Sequence, residues 1–188
     1  LLNDLRKGLV PNQANTILQA LCRELPPGPE PTRLFAKNDK VDGFNSSRLA
    51  GLPGSVHKYG AKDFIAASNE EEQKAARRAL NQLRVMANLS IKVGARVMLI
   101  KNVDETLVNG STGTVIGMMT PTEQAPDGID PMVHIGKTWT NGVKYPIVHF
   151  NTMEGMRTAL VYEDEFRIET RDNHLLASRI QVTCSAND

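Results

Sequence analysis

Two apolar runs constrain this chain most. The first is Lys92-Val93-Gly94-Ala95-Arg96-Val97-Met98-Leu99-Ile100-Lys101-Asn102. The second is Leu107-Val108-Asn109-Gly110-Ser111-Thr112-Gly113-Thr114-Val115-Ile116-Gly117. Both read as strands, and Asn109-Gly110 between them is a strong hairpin signal, because Asn and Gly both accept positive φ. From Leu89 onward the pattern stays strand-like. Further short strands are predicted over 112–119, 145–150, 157–161, 166–169 and 175–182, with 89–102 as the first. That many short strands in about a hundred residues predicts a small β-barrel. Residues 120–144, rich in Pro, Gly and Asp, predict a long surface excursion.

The first third follows another rhythm. Ile17, Leu18, Leu21 and Leu25 recur at helical spacing and predict a helix over 12–25. Pro26-Pro27-Gly28-Pro29-Glu30-Pro31 ends it, since proline fixes φ and donates no hydrogen bond. A short strand is predicted over 32–36. Asn38 or Asp39 then caps a helix carrying Val41, Phe44, Leu49 and Leu52, which Pro53-Gly54 terminates, and a second short strand covers 55–59. This alternation suits a piece of an α/β domain. Residues 68–87 form the clearest helix. Ser68 and Glu71 have capping-box spacing, and Ala76, Leu80, Leu83 and Ala87 trace one apolar face. Its charge predicts a solvated connector.

Bulk properties narrow the classes. The 188 residues are 40% hydrophobic and 23% charged, an ordinary globular composition. No apolar run is long enough for a membrane-spanning helix, so no membrane partner is expected. The start, Leu1-Leu2-Asn3-Asp4, carries no targeting pattern and predicts a fragment or an incomplete gene product. Cys22 and Cys184 fit neither a metal nor a redox spacing and predict reduced thiols. The net charge of +1 is uneven: +3 over 1–66, +1 over 67–87 and −3 over 88–188. The basic bias at the front is compatible with nucleic acid. The acidic back half excludes a barrel that coats phosphate over its whole surface.

The usual enzyme signatures are missing. Gly136-Lys137-Thr138 resembles the end of a P-loop, but Pro131 stands where that loop needs a glycine, and proline has no amide hydrogen for phosphate. His57, His134, His149 and His174 lack ligand spacing, so zinc is excluded. Glu163-Asp164-Glu165 reads as a solvated turn. At Asn109-Gly110-Ser111-Thr112-Gly113 two readings stand. Gly110 makes the turn and Gly113 permits close backbone approach, or exposed amides and hydroxyls touch a phosphate backbone. Lys101 and Asn102 likewise either touch nucleic acid or close the hairpin.

Ordered segments along nearly the whole chain resemble the petite-integration-frequency (Pif-type) family of DNA helicases. Leu2-Asn3-Asp4-Leu5-Arg6-Lys7-Gly8 is similar to the helix after that family's third motif, and Leu21-Cys22-Arg23-Glu24-Leu25 to its Leu-Ser-Arg-Pro-Leu segment. Thr32-Arg33-Leu34-Phe35 through Val41-Asp42, with Asn45-Ser46-Ser47-Arg48-Leu49, resembles the fourth motif, and Leu52-Pro53-Gly54-Ser55-Val56-His57 follows it. Residues 89–117 resemble the family's inserted SH3-like barrel, and residues 160–169 its later strands. Ala177-Ser178-Arg179-Ile180-Gln181-Val182 is similar to the strand that returns to the motor.

The resemblance implies an α+β chain: a partial second RecA-like α/β domain over 1–66, a connector helix over 67–88, an SH3-like β-barrel over 89–182 and an aberrant tail over 183–188. It implies a fragment of an ATP-dependent 5′-to-3′ DNA helicase serving DNA repair, recombination and telomere maintenance in the nucleus or mitochondrion. Single-stranded DNA and the missing first RecA-like domain are the implied partners. ATP and Mg2+ belong to the full-length family, and no cofactor is expected in this chain alone. Arg23 is the implied nucleotide contact, because a guanidinium stays charged and chelates phosphate oxygens. Arg33, Asn38 and Asn45 are implied contacts to DNA or the neighbouring domain, beside Lys101, Asn102 and Asn109. The family's downstream Ala-Trp-Ala-x-(Thr/Ser)-Ile-His-Lys-Ser-Gln-Gly motif is replaced by Thr183-Cys184-Ser185-Ala186-Asn187-Asp188. The alternative is a stand-alone small-barrel module for single-stranded DNA or protein.

Overall fold

The computed structural model describes residues 1–24, 35–121, 128 and 142–186, with Asn38 described by its backbone alone. The expected strand over 32–36, the Gly136-Lys137-Thr138 stretch and most of the 120–144 excursion therefore lie largely outside the described residues. The chain divides into two units, Leu1–Thr32 and Arg33–Asp188.

In the first unit, α1 (Leu2–Arg6) is followed by Gly8 at φ +76°, a left-handed position that glycine occupies without strain. The helix α2 (Ala14–Ala20) is shorter than the expected 12–25. Its end tightens into i−3 bonds, Leu21 N–H to Leu18 O at 3.2 Å and Cys22 N–H to Gln19 O at 3.0 Å. Such tight turns propagate poorly, and proline at position 26 disfavours helix just ahead of it.

The second unit opens with α3 (Asn38–Gly51). Neither Asn38 nor Asp39 caps it. Lys37 occupies that position in extended conformation, with no side-chain cap bond. The other end is closed by a side chain distant in sequence. The buried Lys92 ammonium donates to Leu52 O at 2.6 Å and Ala50 O at 3.5 Å, placing a cation at the negative end of the helix.

Among the described residues the strands form three sheets, all with antiparallel pairing. β1 (His57–Gly60) pairs with β3 (Asn88–Ile91). β2 (Lys62–Ile65), β9 (Leu175–Val182) and β8 (Glu163–Glu169) make the second sheet, with β9 central. The third has the order β10-β4-β5-β6-β7. Its members are β10 (Cys184–Ala186), β4 (Arg96–Leu99), β5 (Thr112–Met119), β6 (Tyr145–Thr152) and β7 (Gly155–Leu160). The predicted run 89–102 is thus two strands, broken by a turn in which Gly94 sits at φ +88°. The acidic triplet Glu163-Asp164-Glu165 opens β8 rather than forming a solvated turn. Cys184–Ala186, in the segment expected as a tail, pairs in register with β4.

Two clusters hold the second unit. The larger is apolar and sits under the five-stranded sheet. Val97, Leu99, Val115, Val148, Phe150 and Leu160 are buried there, with Leu49 of α3 and Leu52, just past that helix, packed against them. At Gly113 a β-carbon would lie 2.6 Å from His149 O and 2.6 Å from Val148 Cγ1, so β5 and β6 meet there only because no side chain intervenes. The smaller cluster joins α4 (Glu70–Gln82) to the β9-centred sheet through Ala76, Leu80 and Ala177, with Ile65, Leu83 and Ile168 around them. The helix expected as a solvated connector therefore covers a sheet face. Its cap is displaced by one residue from the expected box. Asn69 Oδ1 accepts from Glu72 N–H at 2.8 Å, and Glu72 Oε2 accepts from Ser68 N–H at 2.9 Å.

Candidate nucleic-acid interface

Lys101, Asn102 and Asn109 come together on one loop, residues 100–111 between β4 and β5. Sequence-local bonds shape it first. Asn102 Oδ1 accepts from Asn109 N–H at 2.7 Å, which draws the two ends of the loop together. Asp104 Oδ1 accepts from Thr106 N–H at 2.8 Å, Leu107 N–H at 2.9 Å and Thr106 Oγ1 at 3.0 Å, an Asx turn with its hydroxyl supplied by the next-but-one residue. Leu107 is fully buried and anchors the loop in the main cluster. At the tip, Ser111 N–H donates to Val108 O at 2.9 Å, and Gly110 alone takes positive φ (+98°). The turn is thus of type II, in which only the third residue needs the left-handed region, rather than the I′ form with two.

Two charged ties fix this loop to the strands. Lys101 Nζ reaches Asp164 Oδ2 at 2.5 Å and Glu165 O at 3.1 Å, and lies 5.5 Å from the Phe166 ring centroid. Its charge is engaged by β8, so a phosphate reaching it competes with a carboxylate already in place. Arg157, on β7, donates through Nη1 to Asp104 Oδ2 at 2.7 Å and to Thr106 Oγ1 at 2.6 Å. Desolvation raises the Asp104 carboxyl, but the bonds from the Leu107 and Thr106 amides, Arg157 and the Thr106 hydroxyl outweigh it. They hold the group well below the usual carboxylate range.

Beside the loop, the outer face of the five-stranded sheet carries an open groove of about 270 Å³. Arg96, Thr112, Thr114, His149 and Asn151 supply its polar groups, and among the described residues no carboxylate lines it. Thr158 Oγ1 and His149 Nδ1 share a hydrogen bond of 2.8 Å next to it.

The remaining candidates lie elsewhere. Asn45, on α3, donates through Nδ2 to Ala186 O at 3.1 Å, which ties the helix to β10, and its Oδ1 is buried without a hydrogen-bond partner among the described residues. Asn38 is the first residue of α3. Arg23 is exposed in the first unit, beyond the end of α2. Arg33 lies outside the described residues. Among the described residues no three His, Cys, Asp or Glu groups gather to hold a metal ion, and no helix is long and apolar enough to cross a membrane.

Sequence reading missed the Asp104–Thr106–Arg157 network. Its local half was visible as Asp-x-Thr, an Asx-turn spacing. Arg157 is 53 positions from Asp104 and left no local signal.

Residues 80–118 match the family model described as the DNA helicase Pif1 2B domain. The ATP-dependent DNA helicase PIF1 of Saccharomyces cerevisiae (strain YJM789) is 39% identical over 122 residues, spanning 64% of this chain and 14% of that protein. The human ATP-dependent DNA helicase PIF1 is 37% identical over 116 residues, 58% of this chain and 17% of that protein. The crystal structure of Pif1 helicase from Candida albicans superposes with a TM-score of 0.73 at 32% identity, covering 99% of this chain and 41% of that one. Bacteroides Pif1 bound to single-stranded DNA shares the fold, with a TM-score of 0.56 at 17% identity over 99% of this chain and 37% of that one. The chain thus spans a small part of the relatives it matches, and its sequence and fold together identify it as a segment of a Pif1-type DNA helicase.

Proposed function

We propose that the chain serves as the DNA-guiding and ATP-coupling segment of an ATP-dependent 5′-to-3′ DNA helicase acting in repair, recombination and telomere maintenance, in the nucleus or mitochondrion. The observation that carries this reading is the match to the Candida albicans Pif1 structure across 99% of the chain. In this reading residues 1–66 belong to a second RecA-like domain, 67–88 connect, and 89–182 form an SH3-like barrel, with the five-stranded sheet as its main wall. The 100–111 loop touches single-stranded DNA through Asn102, Asn109 and, at the cost of its bond to Asp164, Lys101. Asn38, Asn45 and Arg33 are the further contacts to DNA or a neighbouring domain in this reading, Asn45 at the cost of its bond to Ala186. Arg23, exposed past α2, reaches ATP phosphates across the boundary with a first RecA-like domain. ATP and Mg2+ supply phosphoryl-transfer chemistry in the assembled protein, and this chain contributes the guanidinium that neutralises developing charge.

The groove with Arg96 and His149 favours a second reading, a binding module that holds single-stranded DNA or protein without a motor. Titration of the 188-residue chain with fluorescein-labelled oligothymidylate separates the two from a chain with no nucleic-acid role. Binding that weakens steeply with salt is expected, because phosphate contacts release counterions. Salt-independent or undetectable binding removes the DNA reading. ATP hydrolysis stimulated by DNA in the purified chain would overturn the assignment of the phosphate-holding groups to sequence outside it.

A further inference from the structure

The 100–111 loop is long and exposed at its tip, yet it is heavily restrained. Asn102–Asn109 closes it, Leu107 plugs it into the core, and Lys101 and Asp104 tether it to different strands. Only one of these ties reaches across to β7. That tie is Arg157, which bonds both a carboxylate oxygen and a hydroxyl on the loop through one nitrogen. The bonds meet Asp104 and Thr106, the two residues that define the turn between Asn102 and Asn109.

We propose that Arg157 is a positioning residue that sets the loop in the shape presenting Asn102 and Asn109 to single-stranded nucleic acid. The inference rests on the reading of that loop as a DNA contact. Arg157 acts through the loop and does not itself touch the strand. A loop held before binding loses less conformational freedom on binding, so the tie contributes affinity without adding a contact. The chemistry of the tie fits this role. A single guanidinium nitrogen carries two N–H groups in a fixed plane, so Nη1 donates to Asp104 Oδ2 and to Thr106 Oγ1 together.

Anisotropy titration of the 188-residue chain with labelled oligothymidylate tests this, using Arg157→Gln, Asp104→Asn, their combination, and Asn109→Ala as the direct-contact variant. Each single change at the tie is expected to weaken binding about five-fold, with the double variant no weaker than the worse single, as for residues acting as one unit. The slope of log affinity against log salt should stay that of the parent. Thr106→Val leaves the Arg157 charge in place and removes its hydroxyl partner, so it too should weaken binding. It also serves where Arg157→Gln does not fold.

Four results would overturn the proposal. Arg157→Gln could bind as the parent does while Asn109→Ala binds weakly, which spares the loop reading and removes Arg157. Arg157→Gln and Asp104→Asn could be additive with a salt slope shallower by about one, making Arg157 a direct phosphate contact. Thr106→Val could bind unchanged while Arg157→Gln weakens, which points to charge rather than position. If no variant, Asn109→Ala included, alters binding, the loop reading itself falls, and the proposal with it.

Discussion

The five-stranded sheet and the β9-centred sheet are built on opposite plans. Under the first, buried positions are almost all apolar: Val97, Leu99, Val115, Val148, Phe150 and Leu160. Along β9, Ser178, Arg179 and Gln181 are buried as well. Arg179 grips Asp63 on β2 with Nε to Oδ1 and Nη2 to Oδ2, both at 2.7 Å, and donates Nη1 to Val85 O at 2.8 Å. Gln181 Nε2 donates to Tyr59 O at 3.1 Å and Met86 O at 3.0 Å. An apolar core is non-directional, and it stabilises whatever register fills it. Directional polar bonds discriminate between registers. The β9 side chains tie the path of residues 83–87, between α4 and β3, to β9, β2 and β1. In this molecule stability is concentrated under one sheet and positional specificity under the other.

Removing the largest apolar group should break the first plan most severely. Phe150→Ala is expected to destabilise the chain by about 3–5 kcal/mol, because a fully buried ring leaves a cavity its rigid neighbours cannot fill. Chemical denaturation should show a lower midpoint with an unchanged slope. A loss below about 1 kcal/mol would mean that this sheet is not the stability core.

The second plan should respond to charge and to acid. Arg179→Ala is expected to cost about 3 kcal/mol, the low end for a buried pair because Asp63 is 38% exposed. Asp63→Asn should cost less, since an amide oxygen still accepts one bond. The Arg179 hydrogen bonds are the largest influence on Asp63. They outweigh its desolvation and hold its carboxyl below its ordinary value, while Arg179 is raised by the same bonds. A depressed acid contributes stability above its unfolded value, about 3.9, and loses it as pH falls through the folded value. The parent should therefore keep the contribution of this pair at pH 5 and lose it in stronger acid. Asp63→Asn should show a shallower acid slope, and the depressed Asp104 carboxyl contributes to the slope that stays. Identical acid profiles for parent and Asp63→Asn would sink the role given to the pair.

The same contrast explains what was legible in the sequence. Strands β5 and β9 fall where the pattern put them, because short runs of strand-forming residues bounded by turn residues are local signals. The hairpin at Asn109-Gly110 was equally visible, although Gly110 alone takes the left-handed position. Long-range chemistry was not. Nothing near Lys92 announces that it closes α3 forty residues earlier, and nothing near Arg157 announces Asp104. Of the candidate site, Lys101, Asn102 and Asn109 were found as neighbours on one loop. Their internal bonds could not be read, because a side chain that bonds its own loop and one that reaches solvent have the same sequence. Helix α4 is less solvated than its composition suggests, because two buried residues, Ala76 and Leu80, suffice to seat it on the sheet among its many charges.

The smallest expected effect concerns that seat. α4 covers the β9-centred sheet with few apolar contacts, so its local ends matter more than they would for a deeply buried helix. Asn69 satisfies the Glu72 amide, and Glu72 in return satisfies the Ser68 amide, while Glu70, Glu71 and Glu72 complement the positive end of the helix. Asn69→Ala is expected to cost about 1 kcal/mol, the ordinary value of a lost cap. Ser68→Ala should cost nearly nothing, since only the Ser68 backbone amide is engaged in the cap. Hydrogen exchange across 70–82 measures both. Faster exchange in Asn69→Ala but not in Ser68→Ala would place the cap at Asn69. The reverse order would return it to the Ser68–Glu71 spacing, and unchanged exchange in both variants would make the β9-centred sheet, rather than any cap, the element that holds the helix start.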